Sequence, residues 1–347
     1  MPFEPPFKGM KLYRIRKHAG IYQLNLEDQA VLFRPGEGQI AVRVAAVSLN
    51  YRDLLVLSAR VPGFDPEGLI PASDAAGVVI AVGKGVTRFR VGDRVTSSLF
   101  QQWSRGPATA EGMRSTLGGP LQGVLAEEIV LSEDGAVLTP EYLNDVEACT
   151  LPSAALTAWN SLFTRGRLKA GEMVLFLGTG GVSVFGLQFA VTAGAHAIVV
   201  SPSDIELRRA KGLGATYVIN SLVHPHWEKE VLALTGGRGV NQVLEVGGAG
   251  PLSRSIEAVS YQGHIAFTGL LADSTRAIDP YPLAHKNATL SGVWGGSREE
   301  FETMNAFLET GQIRPVIDRI FSFDRAAEAY DYLRRAPHFG KVVIQYG

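Results

Sequence analysis

The first 150 residues carry the alternation of apolar and polar positions that is typical of half-buried β-strands. In residues 39–47 the apolar side chains Ile40, Val42 and Val44 recur at every second position, which is the spacing of a strand packed on one face. Further strands are predicted at 75–82, 91–95 and 125–131. Residues 97–123 are rich in Gly, Ser, Gln and Pro, and so long a stretch without a predicted element indicates a functional loop or a surface lobe.

After a helical region predicted over 145–163, short apolar runs alternate with helical stretches. Strands are predicted at 173–178, 196–201, 216–220, 240–246, 264–268 and 290–294, and helices at 182–193, 203–212, 226–235 and 252–260. This alternation predicts an α/β fold with a doubly wound parallel sheet and right-handed crossovers. The last fifty residues are predicted to fold back onto the first domain as helices 297–310 and 323–335 and strands 314–321 and 341–346.

A glycine-rich turn follows the first strand of the alternating region. The apolar residues 173–177 are followed by Gly178, Gly180 and Gly181 and then by a helical pattern. In this strand–turn–helix context, Gly178 permits a tight turn and Gly180 lets the backbone approach a pyrophosphate, at which the helix directs its N-terminal amides. Ser183 stands where the fingerprint has its third glycine. Plain turn chemistry is the alternative, but the full strand–helix alternation favours a dinucleotide site.

Composition excludes several classes of function. The 347 residues are 46% hydrophobic and 19% charged, with a net charge of -1, so neither nucleic acid nor an anionic membrane is expected as a partner. The sequence lacks an uninterrupted apolar run of about 18 residues, so a membrane span is not expected. Residues 1–10 include Glu4 and three prolines, which predicts a loose tail rather than a signal peptide. Because Cys149 is the single cysteine, an intramolecular disulfide and a zinc site built on several thiolates are excluded, and a cytoplasmic location is expected.

Several motifs follow one another in a fixed order along nearly the whole chain. They are VSLNYRD at 47–53, PASDAAGVV at 71–79, VGDRV at 91–95, LPSAALTAW at 151–159, GTGGVS at 178–183, LGA at 213–215 and GKVV at 340–343. With these motifs the chain resembles the medium-chain dehydrogenase/reductase superfamily. The resemblance implies a GroES-like β-rich catalytic domain over 1–153 and 295–347 and a Rossmann dinucleotide-binding domain over 154–294. It also implies a small-molecule substrate that meets the cofactor between the domains, and a homodimer formed through the edge strand at 290–294.

Three positions of that resemblance bear on metal binding. By this resemblance, Asn50, Ser73 and Ser153 stand at the positions where the zinc alcohol dehydrogenases of the superfamily have their catalytic zinc ligands. The stretch 97–123, which contains no cysteine, falls where those enzymes have a structural zinc lobe. Neutral Asn and Ser are poor ligands for zinc, which prefers thiolate, imidazole and carboxylate. Both metals are therefore predicted to be absent. The chain is more similar to the zinc-free, quinone-oxidoreductase-like branch, whose Asn-x-x-Asp pattern corresponds to Asn50 and Asp53.

The expected loss of zinc limits the chemistry. Without a metal, little polarises an isolated alcohol or ketone oxygen, so the predicted hydride acceptor is already activated, as a quinone or an α,β-unsaturated carbonyl is. The protein then supplies positioning and hydrogen-bond donors to the developing oxyanion. Asn50 and Tyr51 are the candidate donors, and Arg52 either contributes charge or pairs with Asp53. The alternative for this tetrad is a structural turn that caps a helix over 52–58.

The choice of nicotinamide cofactor depends on the end of the second strand of the parallel sheet. NAD-selective Rossmann domains carry Asp or Glu there, and this chain has Ser201. Serine does not repel a 2′-phosphate, and Ser203 offers a second hydrogen bond. Arg208 and Lys211 follow on the next helix, either as positive charge for the phosphate or as solvated surface residues. Asp204 favours NAD(H), but its place fits a helix start better, so NADP(H) is predicted, with NAD(H) as the less favoured alternative.

Other residues are candidates for the same cofactor site. By resemblance, Thr157 contacts nicotinamide, and the turns after the fourth and fifth strands line the adenosine and nicotinamide portions, at the strand ends where open α/β sheets bind ligands. Turn chemistry is the alternative for each glycine. The additional candidate contacts are Thr157, Gly181, Val182, Gly247, Thr268 and Gly269.

Three functions follow from these patterns. The first is a zinc-independent NADP(H) oxidoreductase that reduces an activated acceptor. The second is an alcohol or carbonyl dehydrogenase that works without metal. The third is a non-catalytic dinucleotide-binding sensor or structural protein. Ser183, which replaces a glycine of the fingerprint, would fit a degraded site of that kind.

Overall fold

The computed structural model describes residues 9–29, 34–61, 63–269, 278–335 and 337–347. Of the predicted N-terminal tail, residues 1–8 lie outside these ranges, whereas Met10 begins a strand. The chain divides into two compact units. The β-rich unit comprises Met1–Ser153, Gly296–Pro337 and Lys341–Gly347, and the parallel-sheet unit comprises Ala154–Gly295 and His338–Gly340.

The elements alternate along the chain in the order given by their numbers. The strands are β1 (Met10–His18), β2 (Ile21–Gln29), β3 (Gln39–Leu49), β4 (Asp74–Val82), β5 (Arg94–Ser97), β6 (Glu128–Ser132), β7 (Ala136–Leu138), β8 (Met173–Leu177), β9 (His196–Ser201), β10 (Tyr217–Asn220), β11 (Val240–Glu245), β12 (Val259–Phe267), β13 (Thr289–Gly292), β14 (Ile317–Ser322) and β15 (Lys341–Gln345). The α-helices are α1 (Tyr51–Leu57), α2 (Ala110–Met113), α3 (Asp145–Ala148), α4 (Leu156–Trp159), α5 (Gly181–Thr192), α6 (Asp204–Gly212), α7 (Trp227–Leu234), α8 (Ala249–Ala258), α9 (Tyr281–Lys286), α10 (Arg298–Gly311) and α11 (Ala326–Arg335). Shorter helical segments of 3-10 or π type are Glu133–Gly135, Leu151–Ala155, Asn160–Arg165 and Phe323–Arg325.

The parallel-sheet unit confirms the predicted doubly wound architecture. Among the described residues its sheet has the strand order β10-β9-β8-β11-β12-β13, and every neighbouring pair is parallel. The order reverses between β8 and β11, and the carboxyl ends of such strands are where open α/β sheets bind ligands. The interior strands β8, β9 and β11 are mostly buried, which accounts for their continuous apolar runs.

The β-rich unit is built mainly on antiparallel pairing, and β14 and β15 form a parallel pair. β3 pairs with β4, β6 and β15, so the C-terminal strand lies in the same sheet as the first 100 residues. The β-rich unit thus contains strands from both ends of the chain. A hydrophobic core that includes Ile40, Val42, Ile129, Val342 and Ile344 joins these strands.

Several sequence-based boundaries in the β-rich unit need correction. The predicted strand at 91–95 starts only at Arg94, because Gly92 has a φ of +96° and belongs to a turn. The strand predicted at 125–131 starts at Glu128. The hairpin of β1 and β2 was not predicted. The region 97–123 contains the short helix α2 and buries Phe100 and Trp103, so it is a packed lobe rather than an open loop.

Within the part of the chain that the structure describes, none of the helices combines the length and apolarity that crossing a lipid bilayer requires.

Candidate functional site

The glycine turn after β8 presents open backbone at the carboxyl end of the parallel sheet. Gly178 has a φ of +69°, which favours glycine. Gly180 is the N-cap of α5 and offers no side chain to its amides. A Cβ added at either glycine would meet no atom within 4 Å among the described residues. Gly181 and Val182 form the first turn of α5, so their amides lie at a helix N-terminus suited to phosphate.

Ser183 connects α5 to β8 by a hydrogen bond and does not line the open turn. It is buried, and its hydroxyl donates to the carbonyl of Leu177 at 2.8 Å. The close helix–strand contact that the third fingerprint glycine provides is made one turn later, at Gly186. A Cβ at Gly186 would lie 2.6 Å from Cε1 of Phe176. The sequence shows this glycine plainly, but the interpretation of the motif stopped at Ser183.

The end of β9 carries a carboxylate that the sequence interpretation missed. The Ser201 hydroxyl donates to Oε2 of Glu206 at 2.6 Å, and the Thr179 hydroxyl of the glycine turn donates to the same oxygen at 2.7 Å. Ser203 caps α6, where its Oγ accepts from the amide of Glu206. Glu206 therefore places a negative charge beside the predicted ribose position. It lies in the first turn of the next helix rather than at the strand end, where the motif is usually sought.

The positive side chains of α6 are only partly available. Arg208 is exposed, and Lys211 donates through Nζ to the carbonyl of Thr216 at 2.6 Å. The solvated-surface alternative fits both residues as well as a phosphate contact does.

A buried carboxyl supports the turn after β11. Glu245 accepts a hydrogen bond from the amide of Gly247 at 2.7 Å and another from the hydroxyl of Ser255. Burial raises the pKa of Glu245 to about 7, and these two hydrogen bonds partly offset that rise. The carboxyl thus fixes the backbone of the predicted cofactor contact Gly247.

The turn after β12 lies directly against the end of β11. The amide of Thr268 donates to the carbonyl of Glu245 at 2.9 Å, and a Cβ at Gly269 would lie 1.8 Å from the carbonyl oxygen of Val246. Glycine is therefore required at 269 by the approach of the two strands. Within the described residues, the buried hydroxyl of Thr268 has no hydrogen-bond partner, so it is available to a ligand.

Thr157 lies in the helical run that precedes β8. Its hydroxyl accepts from the amide of Gly295 at 3.1 Å, and Asn160 donates through Nδ2 to the carbonyl of the same glycine at 2.9 Å. Thr157 thus anchors the backbone just beyond β13. Its own hydroxyl proton is not used in that contact.

In the β-rich unit, the predicted tetrad both caps a helix and leaves one donor free. Asn50 is the N-cap of α1, and the Asp53 carboxylate accepts from the Asn50 amide at 2.8 Å. Burial raises the pKa of Asp53 to about 6, and the nearby Arg52 opposes that rise. The capping alternative is therefore correct for Asp53. The side-chain Nδ2 of Asn50 is buried and has no hydrogen-bond partner in the described chain.

The other two predicted catalytic residues are placed differently. The guanidinium of Arg52 donates to the carbonyls of Leu117 and Gly119 at 2.9 and 3.0 Å, so it holds the 97–123 lobe. Tyr51 is the first residue of α1, with 37% of its surface exposed. Of the three candidates, Asn50 alone combines burial with an unused side-chain donor.

The other two predicted zinc-ligand positions are Ser73 and Ser153, and both serines are hydrogen-bonded to Asp74. Asp74 accepts from the hydroxyls of Ser73 and Ser153, each at 2.6 Å, and from the amide of Ser153 at 3.0 Å. Ser73 and Asp74 are fully buried. The carboxylate of Asp74 is thereby satisfied by the protein itself.

Lys341 completes this arrangement and was missed by the sequence interpretation, which quoted it only within a motif. It is 3% exposed, and its Nζ donates to the carbonyl of Leu49 at 2.6 Å and to Oδ1 of Asn50 at 2.5 Å. Burial lowers the pKa of Lys341, while Asp74 and Asp53 act in the opposite direction. A lysine at the start of an apolar strand was the available signal. We refer to Asn50, Asp53, Asp74, Ser153 and Lys341 as the polar cluster.

The donor set of the polar cluster does not fit zinc. Zinc sites in proteins are built from thiolate, imidazole and carboxylate ligands, and the described residues contain no group of three or more His, Cys, Asp or Glu able to hold a metal ion. At the three predicted ligand positions stand an amide and two hydroxyls, and next to them lies the Lys341 ammonium. Cys149 is buried, and burial raises the pKa of its thiol well above the usual value, which disfavours the thiolate that binds metal.

Comparison with known proteins gives consistent relationships over nearly the whole chain. Residues 36–141 match the family described as alcohol dehydrogenase GroES-like domain, and residues 181–310 match the family described as zinc-binding dehydrogenase. A zinc-type alcohol dehydrogenase-like protein of Schizosaccharomyces pombe is 39% identical over 335 residues, which cover 94% of this chain and 96% of the relative.

Solved structures show the same relationship. The crystal structure of a candidate alcohol dehydrogenase from Sinorhizobium meliloti is similar with a TM-score of 0.90 and 41% identity, covering 97% of this chain and 99% of that one. The structure of an NAD-dependent alcohol dehydrogenase is similar with a TM-score of 0.87 and 31% identity, covering 97% and 100%.

Proposed function

This chain belongs to the medium-chain dehydrogenase/reductase superfamily, and from that membership we propose that it is a zinc-independent NADP(H)-dependent oxidoreductase. The general activity, an oxidoreductase of the alcohol dehydrogenase-like type, follows from the family itself. The proposed substrate is an activated hydride acceptor such as a quinone or an α,β-unsaturated carbonyl. Zinc independence, the cofactor's phosphate and the substrate class are the parts that go beyond the family.

The single observation that carries the proposal is the polar cluster at the predicted zinc positions. Asn50 and Ser153 are neutral. Of the two carboxylates in the cluster, Asp53 caps α1 by accepting from the amide of Asn50, and Asp74 is already hydrogen-bonded by two serines. A zinc ion placed there would also face the buried ammonium of Lys341, which donates to Oδ1 of Asn50. Two relatives are named zinc-type alcohol dehydrogenase-like proteins, and such a name applies to the relative that carries it.

A site of this composition favours one kind of acceptor. A metal stabilises the alkoxide of a simple alcohol by Lewis acidity, whereas here the available group is a neutral amide donor, Nδ2 of Asn50. Such a donor stabilises the partial negative charge that develops when hydride adds to a conjugated carbonyl or a quinone. We assign this role to Asn50, with Tyr51 as a second candidate donor and Arg52 as a support of the neighbouring lobe.

The parallel-sheet unit fits a dinucleotide. A bound nicotinamide dinucleotide supplies the hydride. The open turn at Gly178 and Gly180 accommodates a pyrophosphate, which the amides of Gly181 and Val182 bind. On the neighbouring strand ends, the remaining proposed contacts to the adenosine and nicotinamide portions are Ser201, Ser203, Gly247, Thr268 and Gly269, with Thr157 anchoring Gly295.

The 2′-phosphate of the cofactor distinguishes NADP(H) from NAD(H). The sequence favours NADP(H), because β9 ends at Ser201 rather than at a carboxylate. A specific observation favours the alternative: Ser201 and Thr179 both donate to Glu206, whose charge repels a phosphate and whose oxygens accept hydrogen bonds from ribose hydroxyls. Steady-state kinetics with NADPH and NADH at equal ionic strength decides between them. A higher kcat/KM for NADH would replace NADP(H) by NAD(H) and leave the proposed reaction unchanged.

The reaction is tested by following nicotinamide absorbance with a panel of quinones, enones and enals, and separately with alcohols and the oxidised cofactor. We expect absorbance loss with the activated acceptors and little reduction of cofactor by alcohols. Turnover of alcohols alone would favour the metal-free dehydrogenase. If dinucleotide binds in a fluorescence titration but neither panel turns over, the non-catalytic sensor or structural protein is the correct function.

We also propose a cytoplasmic homodimer. β13 is the edge strand of the parallel sheet among the described residues, and Leu290 and Trp294 are 39% and 51% exposed. An apolar sheet edge favours pairing with another strand. Sedimentation equilibrium tests this: a dimer is expected, and a monomer at micromolar concentration would contradict it.

A further inference from the structure

We propose that Lys341 is a positioning residue that fixes the orientation of the Asn50 amide, so that Nδ2 is the group presented to the acceptor's oxygen. The inference rests on the proposed function, because it concerns the residue that we assign as the donor in that reaction. Lys341 lies 291 positions from Asn50 in the sequence, and its side chain contacts the proposed donor directly.

The argument starts from the chemistry of the two side chains. An asparagine amide has a donor end and an acceptor end of nearly the same shape, so either could face a ligand. A lysine ammonium is a donor only. The Lys341 Nζ lies 2.5 Å from one end of the Asn50 amide, and that end must therefore be the oxygen. The amide's NH₂ group is then directed away from Lys341.

The position of Lys341 is itself fixed by the backbone. Its Nζ donates to the carbonyl of Leu49 at 2.6 Å, and Lys341 begins β15, which pairs with the end of β3, where Leu49 lies. The ammonium is thus held between a main-chain oxygen and the amide oxygen. Asp53 and Asp74 supply negative charge around it, which opposes the lowering of the Lys341 pKa by burial.

A second observation points to a ligand at the other end of the amide. Nδ2 of Asn50 is buried and has no partner among the described residues, and buried polar groups in native proteins are nearly always hydrogen-bonded. A purely structural lysine–asparagine contact would not require an unused donor beside it. An acceptor oxygen would satisfy that donor, and it would do so most strongly when negative charge develops on the oxygen.

The test is a double-mutant cycle with Lys341→Met and Asn50→Ala, measured in the full-length protein with the best acceptor of the panel. If Lys341 acts through Asn50, Lys341→Met lowers kcat at least tenfold, and adding it to Asn50→Ala lowers kcat no further. The dissociation constant for the reduced dinucleotide stays within twofold in all variants. Lys286→Met is the matched control, because Lys286 also donates to backbone carbonyls but lies in the other unit, and its kcat is expected to be unchanged.

A readout without catalysis separates this inference from the proposed function. With ¹⁵N-asparagine labelling, the Asn50 side-chain NH₂ signal is identified by its loss in Asn50→Ala. We expect Lys341→Met to shift that signal and Lys286→Met to leave it in place. An unmoved signal, or losses in kcat that add in the double mutant, would overturn the positioning role. A shifted signal in a protein that turns over no acceptor would contradict the function but support the positioning.

Discussion

The two units build their candidate sites from different parts of the chain. In the parallel-sheet unit the site is mostly backbone: glycines and helix amides at successive strand ends. In the β-rich unit it is mostly side chains in two hydrogen-bonded pairs, Asp74 with Ser153 and Lys341 with Asn50. Backbone sites recognise the general features of a cofactor, whereas side-chain sites determine the chemistry. Substitutions in the two units are therefore expected to affect different measurements.

The largest expected effect is on turnover, from Asn50→Ala in the β-rich unit. Loss of one donor to a developing oxyanion typically lowers kcat by about 100-fold or more, and dinucleotide affinity should be unchanged because the substitution lies outside the parallel-sheet unit. Stopped-flow absorbance and fluorescence titration measure the two quantities. Tyr51→Phe is the comparison, with an expected decrease of less than about tenfold, since the Tyr51 side chain is more exposed. Equal losses in both variants would contradict the assignment of Asn50 as the principal donor.

The next effect is on cofactor binding and compares the N-cap glycine of α5 with a glycine inside that helix. Gly180→Ala places a methyl group in the open space before α5, so the dinucleotide dissociation constant should rise about tenfold, a change of about 1.4 kcal/mol, with an unchanged melting temperature. Gly186→Ala should instead lower the melting temperature and leave the dinucleotide dissociation constant unchanged. Its Cβ would meet Phe176 at 2.6 Å, and overpacking costs about 1–3 kcal/mol. If Gly180→Ala destabilised the fold and left affinity intact, the turn would be structural only.

An effect of similar size concerns the selectivity between the two cofactors. Glu206→Gln keeps an oxygen for Ser201 and Thr179 but removes the negative charge, so the ratio of kcat/KM for NADPH over NADH should rise about tenfold, equivalent to about 1.4 kcal/mol. Asp204→Asn is the control, since Asp204 lies on the same helix but pairs with Asn220. The same rise in both variants would show that net charge, rather than Glu206, determines selectivity.

A further effect is a pH dependence of stability in the parallel-sheet unit. The pKa of Glu245 is raised from 4.5 to about 7, so the native state favours the protonated carboxyl. That contribution is complete below pH 4.5 and is lost as the pH rises through 7. Relative to Glu245→Gln, the wild-type protein should lose up to about 3 kcal/mol across this window. Melting temperatures of both proteins from pH 5 to 8 measure the difference, and a constant difference would contradict the raised pKa.

The contrast between the units also explains how far the sequence could predict them. The glycine turn, the strand order and the fold class were predictable because they depend on short, local patterns of apolar residues and glycine, and the structure and the relatives confirm the doubly wound sheet and the GroES-like domain. The helix–strand contact at Gly186 was not predicted, because the fingerprint has its third glycine three residues earlier, at position 183.

The polar cluster could be predicted only in part. Resemblance identified Asn50, Ser73 and Ser153 as positions where zinc ligands are replaced. It gave no reason to join Asn50 to Lys341, because that contact depends on the pairing of β15 with β3. Glu206 was missed for a similar reason, since its carboxylate returns from a helix to the strand end. Side-chain contacts of this kind depend on tertiary structure, which local patterns do not encode.

The central claim is that hydride transfer in this protein does not use zinc, and metal removal tests it most directly. The purified protein is dialysed against a strong chelator, its zinc content is measured by mass spectrometry, and the rate of nicotinamide oxidation by the best activated acceptor is compared before dialysis, after dialysis and after adding Zn²⁺. We expect less than one tenth of an equivalent of zinc and the same rate throughout, to within about a factor of two. Loss of activity on chelation that is restored by one equivalent of Zn²⁺ would contradict the claim.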